Sequence, residues 1–597
     1  MQKRNRVGRI VFSLFVIWSF LLNGIFVKAQ DVVTSDDLSG GFTFRIKQEQ
    51  KKRAFQNASS VKRIKVQKIA TTKRIQKQTV TVAKTNPKRT KSKEVNPSTI
   101  AGNVLSTKPK EEVSRIFAGA GEYYLNQNQI DKAVNIFREA TNLDAKNANA
   151  KLGLSEAYTR KADTFLEAEN PSAAKSLYLE AIKLNDKNAG AFAGLGESFD
   201  ALDDSENAIV NYKKALALDP DLTELYTPVG VSYYEKGEIA EADNYLTKAL
   251  AASPDNAETQ LFLGLVRYKQ NQTDEAVKAF RRAVELDPNS AEAHYYLGET
   301  LGKTGKDAEA IAQYNEAVRL DPKYTEAWFD LGVAFYNDGK YDESINAYKQ
   351  TIKLKNNMGE AYANLAQIYL EQKRYDDAIG QYRLATTFIT NDAELFSKYG
   401  FAAGRVATQP GKENYWNTAI ENLSKALSFS RDYIDYTNLG WAYYNSAQND
   451  IKDKKKADAD AKLQKAKTSL LEAVKINQKF PATYLNLGIT QSDLGEYKSA
   501  IETLKRADDL RKDWIPAINE LGIAYRRNND FDNAAKQFKR TIEIDKNFAS
   551  GHFNLGETEI QRKNMKEAKK EYQTLVQLGR RDLAVLLEAA SGGAVKK

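Results

Sequence analysis

Along most of this chain small and apolar residues return with a fixed step. Gly196, Gly230, Gly264, Gly298, Gly332, Ala366 and Gly400 are separated by steps of 34 residues, and Gly488, Gly522 and Gly556 keep the same step. Twelve residues behind stands a second small residue: Ala208, Ala242, Ala276, Ala310, Ser344 and Ala378, then Ala500, Ala534 and Ala568. Around both series apolar side chains fall at helical spacing, as at Leu297, Gly298 and Leu301, then Ala310, Tyr314 and Ala317. Each unit is therefore predicted to be a helix hairpin. Glycine in KTGK, NDGK and DLGE permits the turn, and Pro220, Pro288 and Pro322 in LDP stop the second helix. Glycine inside a helix costs about 1 kcal/mol relative to alanine. A row of them implies a compensating close approach of the second helix, with large side chains interlocking where the Cβ is missing.

Three units break the period. The second has seven extra residues around YTRKADTFLEAEN, the ninth seven around RVATQPGKENYW, and the tenth fourteen around NDIKDKKKADADAKLQ. A heptad lengthens a helix while turning its buried face by only about 20°. The tenth hairpin is thus expected to gain a heptad on each arm and to protrude, whereas Pro410 and Gly411 predict a longer loop in the ninth.

Trp328, Leu331, Gly332, Phe335, Ser344, Tyr348 and Thr351 follow a W-L-G-Y-A-F-A pattern, with Ser344 and Thr351 in place of alanine. This pattern resembles the tetratricopeptide repeat (TPR), and thirteen such units fit between about Glu111 and Leu578. The resemblance implies an all-α fold: a right-handed α-solenoid superhelix of about thirteen helix-turn-helix units, its first helices lining a concave groove. The stretch RRDLAVLLEAA is expected to cap the last exposed face, so that residues 579–597 form a capping helix and flexible tail.

In such an array positions two, five, six, nine and twelve of each first helix face the groove. They hold Tyr234, Leu265, Tyr268, Tyr295, Phe329, Val333, Tyr336 and Trp441, an apolar set where a solvated face would be polar. An exposed apolar groove marks a contact surface, although neighbouring units burying one another would use the same residues. Position six also holds Asn364, Asn438, Asn486 and Asn554. An amide is both donor and acceptor, so a row of them suits an extended peptide backbone. The row is similar to the asparagine ladder in the repeats of O-linked N-acetylglucosamine transferase, with Lys398 and Glu520 interrupting it. The series Glu224, Glu258, Glu292, Glu326, Glu360 and Glu394 falls in first turns and is read as compensation of the helix dipole. His294 and His552 stand where other units carry Trp328 or Tyr362, and are read as packing residues. The carboxylate clamp of chaperone adaptors is missing, because its lysine position holds Ala193, Thr227 or Leu261.

Composition narrows the chemistry. With no cysteine and two histidines in 597 residues, disulfides, thiolate metal sites and most histidine-based catalysis are disfavoured, and no catalytic residue, metal or cofactor is assigned. The net charge of +10 is uneven: residues 1–30 carry +5, residues 31–110 carry +14, and the rest carries −9. Residues 1–29 have the basic, apolar and small-residue plan of a secretory signal, with an uncleaved membrane anchor as the rival reading. Residues 30–110, rich in Lys, Arg, Gln, Thr and Ser, read as a disordered basic arm suited to an anionic surface. The expectation is an exported, non-catalytic scaffold for protein or peptide ligands, solenoid at 111–578, with no small-molecule substrate identified and nucleic acid disfavoured as a partner. The alternatives are a substrate-recruiting subunit of a glycosyltransferase-like enzyme, or a nucleic-acid-binding protein using the arm if the chain is not exported.

Overall fold

The computed structural model describes residues 108–596, so the signal segment and nearly all of the basic arm lie outside the described residues. Among the described residues are twenty-seven α-helices and no strand. Twenty-six of them pair into thirteen hairpins, from Lys110–Asn126 with Ile130–Leu143 to Ala549–Gln561 with Met565–Gln577, and Arg581–Ala590 follows alone. The chain divides into two compact units, the first ending at Ala347 and the second beginning at Tyr348. Six hairpins lie wholly in the first unit and six, with the last helix, in the second; within each, successive hairpins stack as a solenoid.

The repeated glycine is explained by what stands opposite it. A Cβ on Gly264 would lie 2.6 Å from the Phe280 ring, one on Gly522 2.6 Å from Phe538, and one on Gly298 3.0 Å from Tyr314. The facing group is in each case a ring on the second helix of the same hairpin, sixteen residues on. Backbone comes comparably close at Gly298 and Gly400, where Ala310 O and Leu423 N would be 3.2 and 3.0 Å from the added carbon. Burying such a ring contributes about 2–3 kcal/mol, which offsets the cost of about 1 kcal/mol for the glycine. Phe137, Tyr178, Tyr212, Phe280, Tyr382 and Phe538 hold this position with less than 2 % of their surface exposed.

Turn chemistry follows the sequence. Gly305 and Gly339 have φ of 76° and 78°, and in hairpins without that glycine Asn271, Lys373, Asn529 and Lys563 take the same left-handed conformation. The helices before Pro220, Pro288 and Pro322 end at Leu218, Leu286 and Leu320, and Asp219 and Asp321 are extended, as a residue before proline prefers. Glu258, Glu292, Glu326, Glu360 and Glu394 lie in first helical turns, and Glu224 in the 3-10 turn Thr223–Leu225.

The insertions resolve as lengthened arms or loops. The first helix of the second hairpin, Ala148–Glu167, has 20 residues. The ninth hairpin joins Ala393–Ala407 to Tyr415–Phe429 through a loop containing Pro410 and Gly411. In the tenth, Tyr433–Lys452 and Lys456–Ile476 have 20 and 21 residues, where the eleventh has 13 and 14.

Candidate functional site: the inner helices

The first helices carry the expected groove positions, and the structure separates them by depth. In the first unit Leu265, Tyr295 and Phe329 are sealed, Tyr295 and Phe329 keeping 2 % of their surface exposed. The Tyr295 ring sits 5.2, 5.9 and 4.9 Å from Tyr296, Tyr314 and Tyr324, and its hydroxyl donates to Asp330 Oδ2 at 2.8 Å. These three residues are thus packing between hairpins, and the expectation that they line an open groove is corrected. The cause is that position five turns toward the adjoining hairpin, where a large side chain fills the junction; Leu265, at position nine, joins the same core.

Tyr234, Tyr268, Val333 and Tyr336 remain partly exposed. Tyr234 meets Phe262 edge-on at 5.9 Å, and Tyr336 leans on Tyr341 at 5.8 Å. The Tyr268 hydroxyl donates to Glu299, while the Lys303 ammonium sits 3.7 Å from the centre of the Tyr268 ring.

In the second unit the asparagine positions differ among themselves. Asn364 Nδ2 donates to the Tyr348 hydroxyl at 3.2 Å. Asn554 Nδ2 donates to Asn519 Oδ1 at 3.0 Å, and its own oxygen accepts from Arg526. Asn438 and Asn486 are buried as well, but among the described residues Nδ2 of each has no acceptor. An amide donor left unmatched in the interior costs about 1–3 kcal/mol, so two of them at one register are conspicuous. Trp441 lies one helical turn from Asn438, partly exposed, resting on Gly404 and meeting Trp416 edge-on at 4.9 Å. The two interruptions of the row are also buried: Lys398 is paired with Glu394 at 2.6 Å, and Glu520 lies in the same face. Both histidines are buried; His294 Nδ1 meets Gln313 Oε1 at 2.7 Å, and His552 Nδ1 meets Glu571 Oε2 at 2.5 Å.

A set of carboxylates on the first unit's inner helices was not picked out by sequence reasoning. Asp163 is raised to about 7 by burial, against a hydrogen bond from Tyr178. Burial, with Asp163 and Asp200 nearby, raises Glu197 to about 8. Asp330 is raised to about 8 by burial and by Glu299, against the hydrogen bond from Tyr295. The available signal was the ninth position, which holds Glu122, Glu156, Glu197 and Glu299 where other repeats have Val231, Leu265 or Val333. Among the described residues no group of three or more His, Cys, Asp or Glu is placed to hold a metal ion, and no helix is long and apolar enough to cross a membrane.

A profile of the tetratricopeptide repeat matches residues 159–222, 230–290, 263–325, 329–393 and 519–582, and a second profile of the same repeat matches 114–147 and 481–513. Together they take in more than half of the chain. Among solved structures, MamA is 29 % identical over 27 % of this chain and 95 % of its own, with a TM-score of 0.26. YrrB, described as a TPR protein with an unusual peptide-binding site, is 27 % identical over 31 % of this chain and 95 % of its own, with a TM-score of 0.28. PilF of Pseudomonas aeruginosa is 20 % identical over 35 % of this chain and 95 % of its own, with a TM-score of 0.32. A comparison with curated proteins finds no match.

Proposed function

Since the chain belongs to the tetratricopeptide-repeat family, whose stacked hairpins serve as protein-interaction scaffolds, we propose that it is an exported, non-catalytic scaffold that grips extended peptide segments on the inner helices of its second unit. The observation that carries this reading is the pair Asn438 and Asn486. Asn364 and Asn554 at the same register find acceptors within the protein, and among the described residues these two do not. A peptide backbone offers carbonyl oxygens to both amides without regard to its side chains. Trp441 beside them supplies a broad apolar surface for one side chain of the ligand. The amides are sealed in the free protein, so binding includes their turning outward toward the ligand.

The basic segment ahead of the array belongs to the same reading as an attachment to an anionic surface, and residues 1–29 as the export signal. Sequencing the amino terminus of the chain from an exported fraction tests the second point, with Gln30 as the expected first residue.

Binding itself is tested by selecting peptides from a random display library against the full chain. The expected ligands lose affinity about tenfold or more when Asn438 and Asn486 are both replaced by alanine, a loss of about 1.4 kcal/mol or more, and keep it when Asn364 is replaced. Ligands indifferent to Asn438 and Asn486, or no selected ligand at all, overturn the reading.

A further inference from the structure

The inner helices of the first unit present carboxylates that are satisfied by hydroxyl groups where cations would be expected. Asp163 Oδ1 accepts from the Tyr178 hydroxyl at 2.6 Å, and Asp330 Oδ2 from Tyr295 at 2.8 Å. Asp200 accepts from Tyr212 and Ser232 at 2.8 and 2.9 Å. Glu197, within the field of Asp163 and Asp200, makes neither a hydrogen bond nor an ion pair among the described residues. Asp163 and Asp330 likewise make no ion pair there, and Asp330 keeps only 6 % of its surface exposed. A separate feature points the same way. The Tyr324 hydroxyl, on a side chain nine-tenths buried, has no hydrogen-bond partner among the described residues and lies in the field of Glu292, Glu326 and Asp330. A buried hydroxyl with no partner, its lone pairs open beside carboxylates, leaves room for a cationic donor that both could accept from.

A cationic occupant is present in the chain itself. Residues 61–77, VKRIKVQKIATTKRIQK, hold seven Lys and Arg and no acid. The thirty residues between this stretch and Lys108 reach on the order of 100 Å when extended, ample for access to the inner helices of the second to seventh hairpins. We propose that residues 61–77 dock on the acidic inner wall of the first unit of the same chain, their ammonium and guanidinium groups meeting Asp163, Glu197, Glu299 and Asp330. Burial and mutual repulsion hold Asp163, Glu197 and Asp330 above the usual carboxylate range, so each arriving cation relieves an existing electrostatic cost. Docking in this way occupies the arm, and an external polyanion competes with the wall for it. The wall belongs to the first unit and the Asn438–Asn486 pair to the second, so failure of either proposal leaves the other standing.

The test uses the full chain at low salt. A zero-length carbodiimide is applied to mixed light- and heavy-isotope copies, and the products are mapped by mass spectrometry. Links from Lys62, Lys65, Lys68, Lys73 or Lys77 to Asp163, Glu197 or Glu299 within one chain are expected, with loss of those links at high salt and on adding polyphosphate. Because the chain has no cysteine, Ile69→Cys gives a single fluorophore position. Its anisotropy is expected to fall to that of a free segment in Asp163→Asn/Glu197→Gln, and equally when the arm's seven cations are replaced by glutamine, a change that leaves the array untouched. No links, links spread evenly over acids of the second helices, links found only between chains, or an anisotropy indifferent to the arm's charge each overturn the proposal.

Discussion

Replacing single glycines by alanine separates the packing role of the repeated glycine from its helix propensity. At Gly264 the added carbon meets Phe280 Cδ1 and Cε1 at 2.6 Å, and that ring is fully buried and stacked on Tyr296 at 5.9 Å, so it cannot swing aside. Overpacking of this kind costs about 1–3 kcal/mol, against a gain of about 1 kcal/mol from replacing a helical glycine. Gly264→Ala is therefore expected to destabilise by up to about 2 kcal/mol. At Gly298 the nearest atoms, on Tyr314, are 3.0 Å away, and a shift of a few tenths of an ångström accommodates the methyl group; gain and cost nearly cancel. Gly380, on a second helix, has nothing among the described residues within 4 Å of the added carbon, so Gly380→Ala should stabilise by about 1 kcal/mol. Gly298→Leu, with three more carbons aimed at Tyr314, exceeds what the hairpin absorbs and should lower the melting temperature. Repeat arrays need not unfold in two states, so denaturant midpoints are best paired with hydrogen exchange in the affected hairpin. If Gly264→Ala proves as stable as Gly380→Ala, the glycine row does not exist to admit the rings.

The unmatched amides give a second expectation: Asn486→Leu should hold or raise stability by about 1 kcal/mol while removing peptide binding, measured by thermal melting and by titration with a selected ligand. Burial alone would lower His552, but the hydrogen bond to Glu571 and the contact with the Lys546 carbonyl hold it above its usual 6.5. A raised histidine contributes stability that is complete below the unfolded value and lost as pH rises through the folded value. Hydrogen exchange in the last hairpin should therefore quicken as pH rises through that value beyond the intrinsic trend, and Glu571→Gln should abolish the excess. Lys373 pays for a left-handed φ of 59° that glycine adopts freely, so Lys373→Gly should stabilise by about 1 kcal/mol, read from the denaturant midpoint.

The hairpins, their turns and the lengths of the irregular ones were legible because each depends on local chemistry: a glycine at positive φ, a proline stop, a heptad that keeps its face. Depth along the inner face was not. Tyr268 and Tyr295 belong to the same face by position, yet Tyr295 is covered by Tyr324 from the following loop and Tyr268 keeps part of its ring in solvent. That distinction depends on which side chain the adjoining repeat supplies, a pairing that periodicity does not encode. Likewise the four asparagines share one register, and their differing bonds are set by neighbours: Tyr348 for Asn364, Asn519 and Arg526 for Asn554. Glu197 and Glu299 of the acid wall were written at the ninth position, but the wall's significance lies in the lack of ion pairs at Asp163, Glu197 and Asp330 among the described residues, a property of space and not of sequence.

The tenth hairpin shows how such an array sets reach apart from assembly. Because its two arms grow by equal increments, the base still mates with its neighbours while the tip stands about 10 Å further out, seven residues at about 1.5 Å each. A spacer of that kind can lengthen or shorten in fixed increments without disturbing anything below it. Whatever meets the Lys452–Lys456 end is therefore held at a ruled distance from the body that carries it.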